Sequence, residues 1–372
     1  MKYDVAIIGG GLAGLSLAID LKGRGRTVIV IEKGTYPRQK VCGEYISMES
    51  HRYLNELCPA LSALSLPVIR TFRLTTTGNA CYTTNLGLGG LGISRYLLEE
   101  LLYREALLKG VKFELNTKVT DVVKNLQEDS YTMVTNSLDI SAALVCNASG
   151  RRSNLETLGR GKKKQGANYV GVKYHVRIKR DREQIEIHNF NGGYCGISNI
   201  EEDKVCLCYI VNARELAAVN KSISELEKRV LSQNKNLGKI FREAEFILKE
   251  PVTISGINFL IKEPVTEDVF FLGDSAGSIA PVTGNGMSMG LRSAFVLAQL
   301  IDRYFMEQIS RKELKKNYTD FWNMEFSTRI KLSRHFQKLS EYPTLTKMTI
   351  SLFKAFPPLA KSIINLTHGK PF

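Results

Sequence analysis

No stretch of this chain approaches about 18 consecutive apolar residues, so no membrane-spanning helix is expected. Its 372 residues hold one tryptophan, Trp322, and five histidines, which are scattered and form no ligand grouping. Seven cysteines, an odd and irregular set, exclude a disulfide framework and read as reduced thiols. Cys206-x-Cys208 falls in a strand-like run, where both side chains share one face, and this is not the spacing of a metal knuckle. No metal is expected. The chain opens on a core-like strand rather than a leader, which with the reduced thiols sets a cytoplasmic location as the expectation. Acid is nearly missing from Phe326–Phe372, where Glu341 stands alone against Arg329, Lys331, Arg334, Lys338, Lys347, Lys354, Lys361 and Lys370. That eighth of the chain carries +7 of a net charge of +14. No recognition motif accompanies the charge, so a nucleic-acid partner is not expected. The same stretch contains Ile350, Leu352, Phe353, Phe356, Leu359, Ile363, Ile364 and Leu366. A basic, amphipathic tail of this kind suits an anionic membrane surface, at its inner face, or an acyl carrier protein. The competing reading is a pair of helices packed over the body with solvated lysines.

What is present is concentrated in two glycine-bearing segments. Lys2–Ile8 is a short β-rich run, followed by Gly9-Gly10-Gly11-Leu12-Ala13-Gly14 and an apolar helix over Leu12–Leu21. A second strand, Thr27–Ile31, ends in Glu32 and Lys33. The arrangement fits G-x-G-x-x-G: Gly9 makes the tight turn, Gly11 lets backbone approach a pyrophosphate, and Gly14 lets the helix pack close to the strand. Glu32 can accept from both hydroxyls of an adenosine ribose. Far downstream, the strand Val269–Leu272 runs into Gly273-Asp274, and Pro281-x-x-Gly284-Asn285-Gly286 opens an apolar helix over Met287–Ile301. A carboxylate there can bind a polyol, and bare N–H groups from Asn285 to Met287 can face an electron-rich ring.

An N-terminal fingerprint with a distant Gly-Asp resembles the flavoprotein family that includes para-hydroxybenzoate hydroxylase, flavin-dependent halogenases and geranylgeranyl reductases. The resemblance spans nearly all of residues 1–301 and implies FAD, with Asp274 on the ribityl chain and the helix after Gly284-Asn285-Gly286-Met287 aimed at the N1/C2=O edge of the ring. Pro37-Arg38-Gln39-Lys40-Val41-Cys42-Gly43 resembles a loop of the geranylgeranyl reductase branch. By that resemblance Arg38 and Lys40 are partners for phosphate or a substrate anion, and Cys42 and Gly43 lie beside the ring. Arg95, at the start of a periodic helix over Tyr96–Lys109, matches a family arginine by the pyrophosphate. Glu44 and Tyr194 are candidate proton donors near the ring, again only by resemblance. Asn147-Ala148-Ser149-Gly150-Arg151-Arg152-Ser153 follows a buried strand, Ala142–Asn147. The family's hydroxylases carry Asp-Gly where this chain has Ser149-Gly150, which weakens direct NAD(P)H binding, although NAD(P)H stays open as electron donor. A reductase tryptophan position is Gly196 here, implying a wider pocket.

The expected fold is α/β with α+β insertions. A Rossmann-like FAD-binding domain takes residues 1–70, 92–160 and 262–305, and a mostly antiparallel β-sheet substrate domain takes 71–91 and 161–261. A basic amphipathic helical region takes 306–372. Val111–Val119 and Asp121–Leu126 read as paired strands, and lysines 162–164 as a solvated crossover. The resemblance favours hydride transfer to a double bond of a hydrophobic lipid- or polyketide-like substrate. Hydroxylation of an aromatic or quinol precursor through a C4a-hydroperoxide is the alternative, and a non-redox isomerase or cyclase the second. Halogenation is disfavoured because the paired-Trp motif is absent. No general base is named.

Overall fold

A computed structural model describes residues 2–78, 80–151 and 168–372. Arg152, Ser153 and lysines 162–164 lie outside the described residues. The first sheet is built from continuous apolar runs, as strands buried on both faces require. Its main path runs 265–266, 269–271, 140–147, 2–8, 28–31, 112–114. Lys2–Ile8 is central, with Val28–Ile31 parallel on one side and Ile140–Asn147 parallel on the other. Register brings the strand ends level: Ile8 is opposite both Ile31 and Asn147, and Asn147 is opposite Phe271. The residues that follow these ends, Gly9, Glu32, Ala148 and Leu272, therefore form one rim. The chain leaves the central strand toward one neighbour and returns on the other side, which opens a crevice at that rim.

Helix Leu12–Gly23 lies between Arg95–Leu108 and Gly286–Phe305. Small residues set the distance. A Cβ on Gly273 or on Gly290 would sit 3.4 Å from Ala13 Cβ. The hairpin reading needs correction: Val111–Val119 does not pair with Asp121–Leu126. Asn116 takes a left-handed φ of 53° and breaks the run. Lys112–Glu114 becomes the sheet edge beside Val28–Ile31, while Val119–Asn125 pairs with Ser130–Thr135.

The second sheet has nine strands, including Tyr45–Ser47 and Val68–Thr75, which begin before the boundary expected at residue 71. Its pairs are antiparallel except Gln184–Phe190 beside Val68–Thr75. Alternation gives it two faces. Val172, Tyr174, Cys195, Leu207 and Tyr209 pack under short helices at 213–218, 223–229 and 235–243, which the sequence reading missed. The opposite face carries Tyr169, Ile187, Tyr194, Ile210, Ile257 and Phe259, and meets Ala280 from the segment after Asp274.

His188 is fully buried in this sheet, with Thr75 Oγ1 2.8 Å from its Nδ1. Burial pulls its pKa down from 6.5 to about 4. Between those values the unfolded chain binds a proton that the folded chain refuses. Stability is therefore complete above about pH 6.5 and falls by on the order of 3 kcal/mol as pH drops to 4. Denaturant unfolding across that window should show the slope, and His188→Asn should flatten it.

The 306–372 region is not one basic appendage. Helix Arg311–Leu339 buries Leu314, Tyr318, Trp322, Phe326, Ile330 and Ser333 on one stripe. Trp322 packs where a Cβ on Gly277 would lie 2.8 Å from its ring, the Tyr318 hydroxyl donates to Phe271 O at 2.7 Å, and Ala280 N donates to Ser333 Oγ at 3.0 Å. This helix braces the segment between Asp274 and Gly284. Two further helices, Pro343–Ala355 and Pro357–Thr367, lie against strand Cys81–Gly92. Among the described residues no helix is long and apolar enough to cross a membrane.

Candidate active site

The rim begins at Gly9, whose φ of +100° and close approach to Ala148 O (2.7 Å from a Cβ) leave room for no side chain. Gly14 is tighter, since a Cβ there would lie 2.1 Å from Gly9 O. Leu12 is buried beneath the helix start and Ala13 faces the second glycine segment. The helix has Gly11 as its N-cap with no side-chain cap and no acid in its first turn. Its unmet N–H groups and positive end point outward, past Gly11.

Facing Gly11 is a buried cluster of charge. A Cβ on Gly11 would lie 3.2 Å from Lys40 Nζ, with Arg95 and Glu99 each at 3.9 Å. Glu99 is fully buried, pairs with Arg95, and accepts from Lys40 Nζ at 3.1 Å. Its desolvation raises the carboxyl's pKa, but Arg95, Lys40 and Arg38 outweigh that and hold it down at about 2. Lys40 is depressed to about 8, chiefly by burial and further by Arg95 and Arg38. Arg95 Nε is buried with no acceptor. Three cations, Arg38, Lys40 and Arg95, thus share two carboxylates, Glu99 and Glu32, beside an uncapped helix end, an arrangement that takes an anion. Sequence reading missed Glu99, although an acid on the inward face of an amphipathic helix, four residues after Arg95, was a visible signal.

Glu32 is buried at the end of its strand. Its two oxygens accept from Gly10 N at 2.7 Å and Gly34 N at 3.0 Å, and Arg38 reaches both, at 2.6 and 3.0 Å. Burial raises its pKa, and the hydrogen bond and charge of Arg38 more than reverse this. A ribose diol must therefore share Glu32 with Arg38 or displace it. Arg38, expected as a partner for phosphate or a substrate anion, here pairs with Glu32; Lys33 is exposed.

Gly150 and Gly273 both take positive φ, and between them Arg151 Nε meets Asp274 Oδ2 at 2.9 Å. Asp274 stays about one-third exposed and Arg151 is its ion-pair partner. Where the hydroxylase acid is missing, Asn147 Oδ1 accepts from Ser149 N at 3.0 Å and Ser149 Oγ at 2.5 Å, so a buried asparagine shapes the turn. Farther along, Gly284 has a φ of +68° and a Cβ there would be 3.3 Å from the Tyr45 ring. Helix Gly286–Phe305 then starts without a side-chain cap, Asn285 serving as N-cap and Met287 buried. Among the described residues no acceptor is found for its first N–H groups. Asn285 Nδ2 donates to Thr367 O at 2.8 Å, which ties this helix start to the C-terminal segment.

Loop 38–44 is pinned to the second sheet. Cys206 Sγ contacts Cys42 O at 3.3 Å, Ser198 Oγ donates to Gly43 O at 3.2 Å, and Glu44 N donates to Cys42 Sγ at 3.4 Å. Glu44 itself is fully buried at a φ of 55°. It accepts from Lys173 Nζ at 2.7 Å, Arg95 N at 3.0 Å and His175 Nε2 at 2.6 Å. Desolvation works to raise its pKa, but the bonds from His175 and Lys173 prevail and keep it below the usual range. An ionised carboxylate with three donors is a structural anchor, which corrects its reading as a proton donor. Tyr194 differs: its hydroxyl is buried with no partner among the described residues, and burial raises its pKa well above 10, so it stays protonated. Lys173 and His175 were missed, although a lysine inside an apolar strand marks a buried pair.

These residues fit FAD. The cationic cluster, in which Arg95 Nε has no acceptor among the described residues, suits the pyrophosphate, the partly exposed Asp274 the ribityl hydroxyls, and the uncapped Gly286 helix a ring edge that gains negative charge. The family model described as "FAD binding domain" matches residues 2–320. The chain belongs to this family and is an FAD-dependent oxidoreductase. Among curated relatives, conditioned medium factor receptor 1 of Dictyostelium discoideum is 22% identical over 89% of this chain and 69% of that one. Ubiquinone hydroxylase UbiL of Rhodospirillum rubrum is 25% identical over 80% and 71%, and digeranylgeranylglycerophospholipid reductase 1 of Methanosphaera stadtmanae 21% over 88% and 82%. The solved structure of the flavin-dependent brominase Bmp2 has the same fold, with a TM-score of 0.80 at 19% identity over 99% of this chain and 93% of that one.

Asp274→Ala should cost FAD affinity about ten- to hundredfold, the value of a hydrogen-bonded charge, read by flavin fluorescence titration of apoprotein. Its pair with Arg151 is partly exposed, so the apoprotein's unfolding midpoint should move by under ~1 kcal/mol equivalent.

Proposed function

We propose that this chain reduces a carbon–carbon double bond in a hydrophobic, lipid- or polyketide-like substrate. Bound FAD supplies hydride in its reduced form. The observation that carries the reading is the lining of the second sheet. On its Ala280-facing side, Tyr194, Ile210 and Ile187 surround Gly196 and Cys208, the positions of their strands there that keep solvent access. A Cβ on Gly196 would meet only Ile187 Cδ1 at 3.5 Å and Cys208 O at 3.7 Å, so an apolar group can lie over it. The carbon next to the one that accepts hydride takes its proton from solvent, while Tyr194, whose hydroxyl is buried, stays protonated as part of the wall. Glu44, the carboxylate of the Cys42 loop, is held by Lys173 and His175 and is therefore not available as the base that would activate a phenol. The relative named as a digeranylgeranylglycerophospholipid reductase supports the same class. A second reading, hydroxylation of a quinol precursor, is favoured by the relative named as a ubiquinone hydroxylase.

Anaerobic stopped-flow separates them. Photoreduced enzyme mixed with polyunsaturated lipids in detergent should be reoxidised with loss of one double bond. Reoxidation by oxygen alone, with a hydroxylated product, would establish the second reading. Conversion with no change in flavin redox state would overturn both in favour of an isomerase or cyclase.

A further inference from the structure

We infer that the outer face of the two C-terminal helices, residues 343–367, docks this protein onto an anionic lipid surface. Helix Pro343–Ala355 turns Thr346, Ile350 and Phe353 inward, with the Phe353 ring 5.4 Å from Tyr82 of strand Cys81–Gly92. Its other side leaves Met348 66% and Leu352 44% exposed, and Phe356, at the corner before Pro357-Pro358, 60% exposed. The next helix buries only Ala360 and continues the apolar surface with Leu359 and Leu366. Other exposed apolar residues, such as Leu126 and Leu138, sit singly in turns, which is ordinary. A run of them along successive helices is not.

Charge selects the occupant. Residues 343–372 contain Lys347, Lys354, Lys361 and Lys370 and not one Asp or Glu. Lys347, Lys354 and Lys361 are exposed and have no carboxylate partner among the described residues. Lysines flanking exposed Met, Leu and Phe let the apolar side chains enter the headgroup region while the ammonium groups reach anionic lipid. An acidic protein matches the charge but leaves the apolar residues, which stand on helix faces rather than in a groove, without a complement. The position also serves a hydrophobic substrate. The helices rest on strand Cys81–Gly92, and a cleft of about 230 Å³ between Leu86–Leu88 and Ile364–Pro371 opens beside them. Thr367, at the end of the second helix, holds Asn285 at the start of the flavin-edge helix. Docking is independent of which reaction the flavin carries out.

Flotation of the FAD-loaded full chain with large vesicles tests this. Vesicles of phosphatidylcholine with phosphatidylglycerol should carry the protein at 50 mM salt, pure phosphatidylcholine should carry far less, and 500 mM salt should release it. The triple variant Lys347→Gln/Lys354→Gln/Lys361→Gln should lower partitioning roughly a hundredfold, at about fivefold per lysine. Leu352→Ser/Phe356→Ser should lower it roughly tenfold or more. All these positions are exposed, so flavin content and the thermal midpoint should not change. Failure of the wild type to float on anionic vesicles, flotation of both variants like wild type, or capture by an acidic carrier protein without vesicle binding would each overturn the proposal. Reoxidation by lipid in detergent is measured without vesicles, so a failure here leaves the reductase reading standing.

Discussion

Glu44→Gln should destabilise the folded protein by about 3–5 kcal/mol, the cost of removing one partner from a buried ion pair. The carboxylate is completely buried and takes hydrogen bonds from Lys173, His175 and the Arg95 backbone. An amide in its place puts an N–H₂ group against a donor. Lys173 then keeps its charge in the interior with only neutral side-chain acceptors, the new amide oxygen and Gln39 Oε1 at 2.8 Å. Because the folded pKa lies below the ordinary 4.5, this contribution is whole above that pH and fades as acid protonates the folded carboxylate. Urea unfolding should show a lower midpoint with an unchanged slope. Glu44→Leu with Lys173→Met should recover much of the loss, since no charge is then stranded. A Glu44→Gln protein of normal stability and lost turnover would instead return Glu44 to the chemistry.

The second large effect separates two glycines of one motif. Gly14→Ala should loosen the fold itself, by about 1–3 kcal/mol, because its Cβ would lie 2.1 Å from Gly9 O and the helix must lift off the strand. Gly11→Ala should leave the apoprotein intact. Its backbone, at φ −83° and ψ −176°, accepts any residue, and the nearest atom to a Cβ is the movable end of Lys40. Yet that methyl stands between the helix N-terminus and the Lys40–Arg95 cluster, where a pyrophosphate must sit. Loss of two or more charge-assisted bonds from N–H groups makes FAD affinity fall at least about a hundredfold. Flavin content of the purified variants and apoprotein unfolding curves distinguish the two. Stoichiometric FAD in Gly11→Ala protein would remove the pyrophosphate from this helix.

Much of this framework was legible in the sequence because its signals are local. The apolar runs before Gly9, Glu32, Ser149 and Gly273 lack the alternation of half-exposed strands, and each stops at a residue suited to a turn or a ligand. The order of strand, glycine turn and helix therefore pointed to FAD, the cofactor of the family the chain belongs to. Errors arose where a local pattern was ambiguous. Val111–Val119 looks like one strand until Asn116 turns left-handed, and its true partner lies elsewhere. The three short helices after Val205–Asn212, of 6, 7 and 9 residues, span too few turns to stand out from loop, although Asn212, Ser222 and Asn234 cap them.

Charged residues were the least readable. The sequence could nominate Arg38, Lys40, Glu44 and Arg95 as a basic and acidic neighbourhood of the cofactor, but it could not show which partner each takes, and for Lys40 and Glu44 that partner comes from a distant element. Glu99 on a helix claims Lys40 and Arg95; Glu32 on a strand claims Arg38; Lys173 and His175 on the other sheet claim Glu44. Burial magnifies such pairings and fixes which groups stay free. The sequence by itself determined the FAD-binding frame, the reduced thiols and the basic, acid-free end of the chain, because these depend on spacing and composition. Only the tertiary structure decided that Glu44 is an anchor, that Tyr194 keeps an unpartnered hydroxyl, and that helix Arg311–Leu339 belongs to the core while the last two helices show an apolar face. Those outcomes rest on contacts between residues distant in the sequence, such as Glu44 with Lys173 and Tyr318 with Phe271, and no local pattern encodes them.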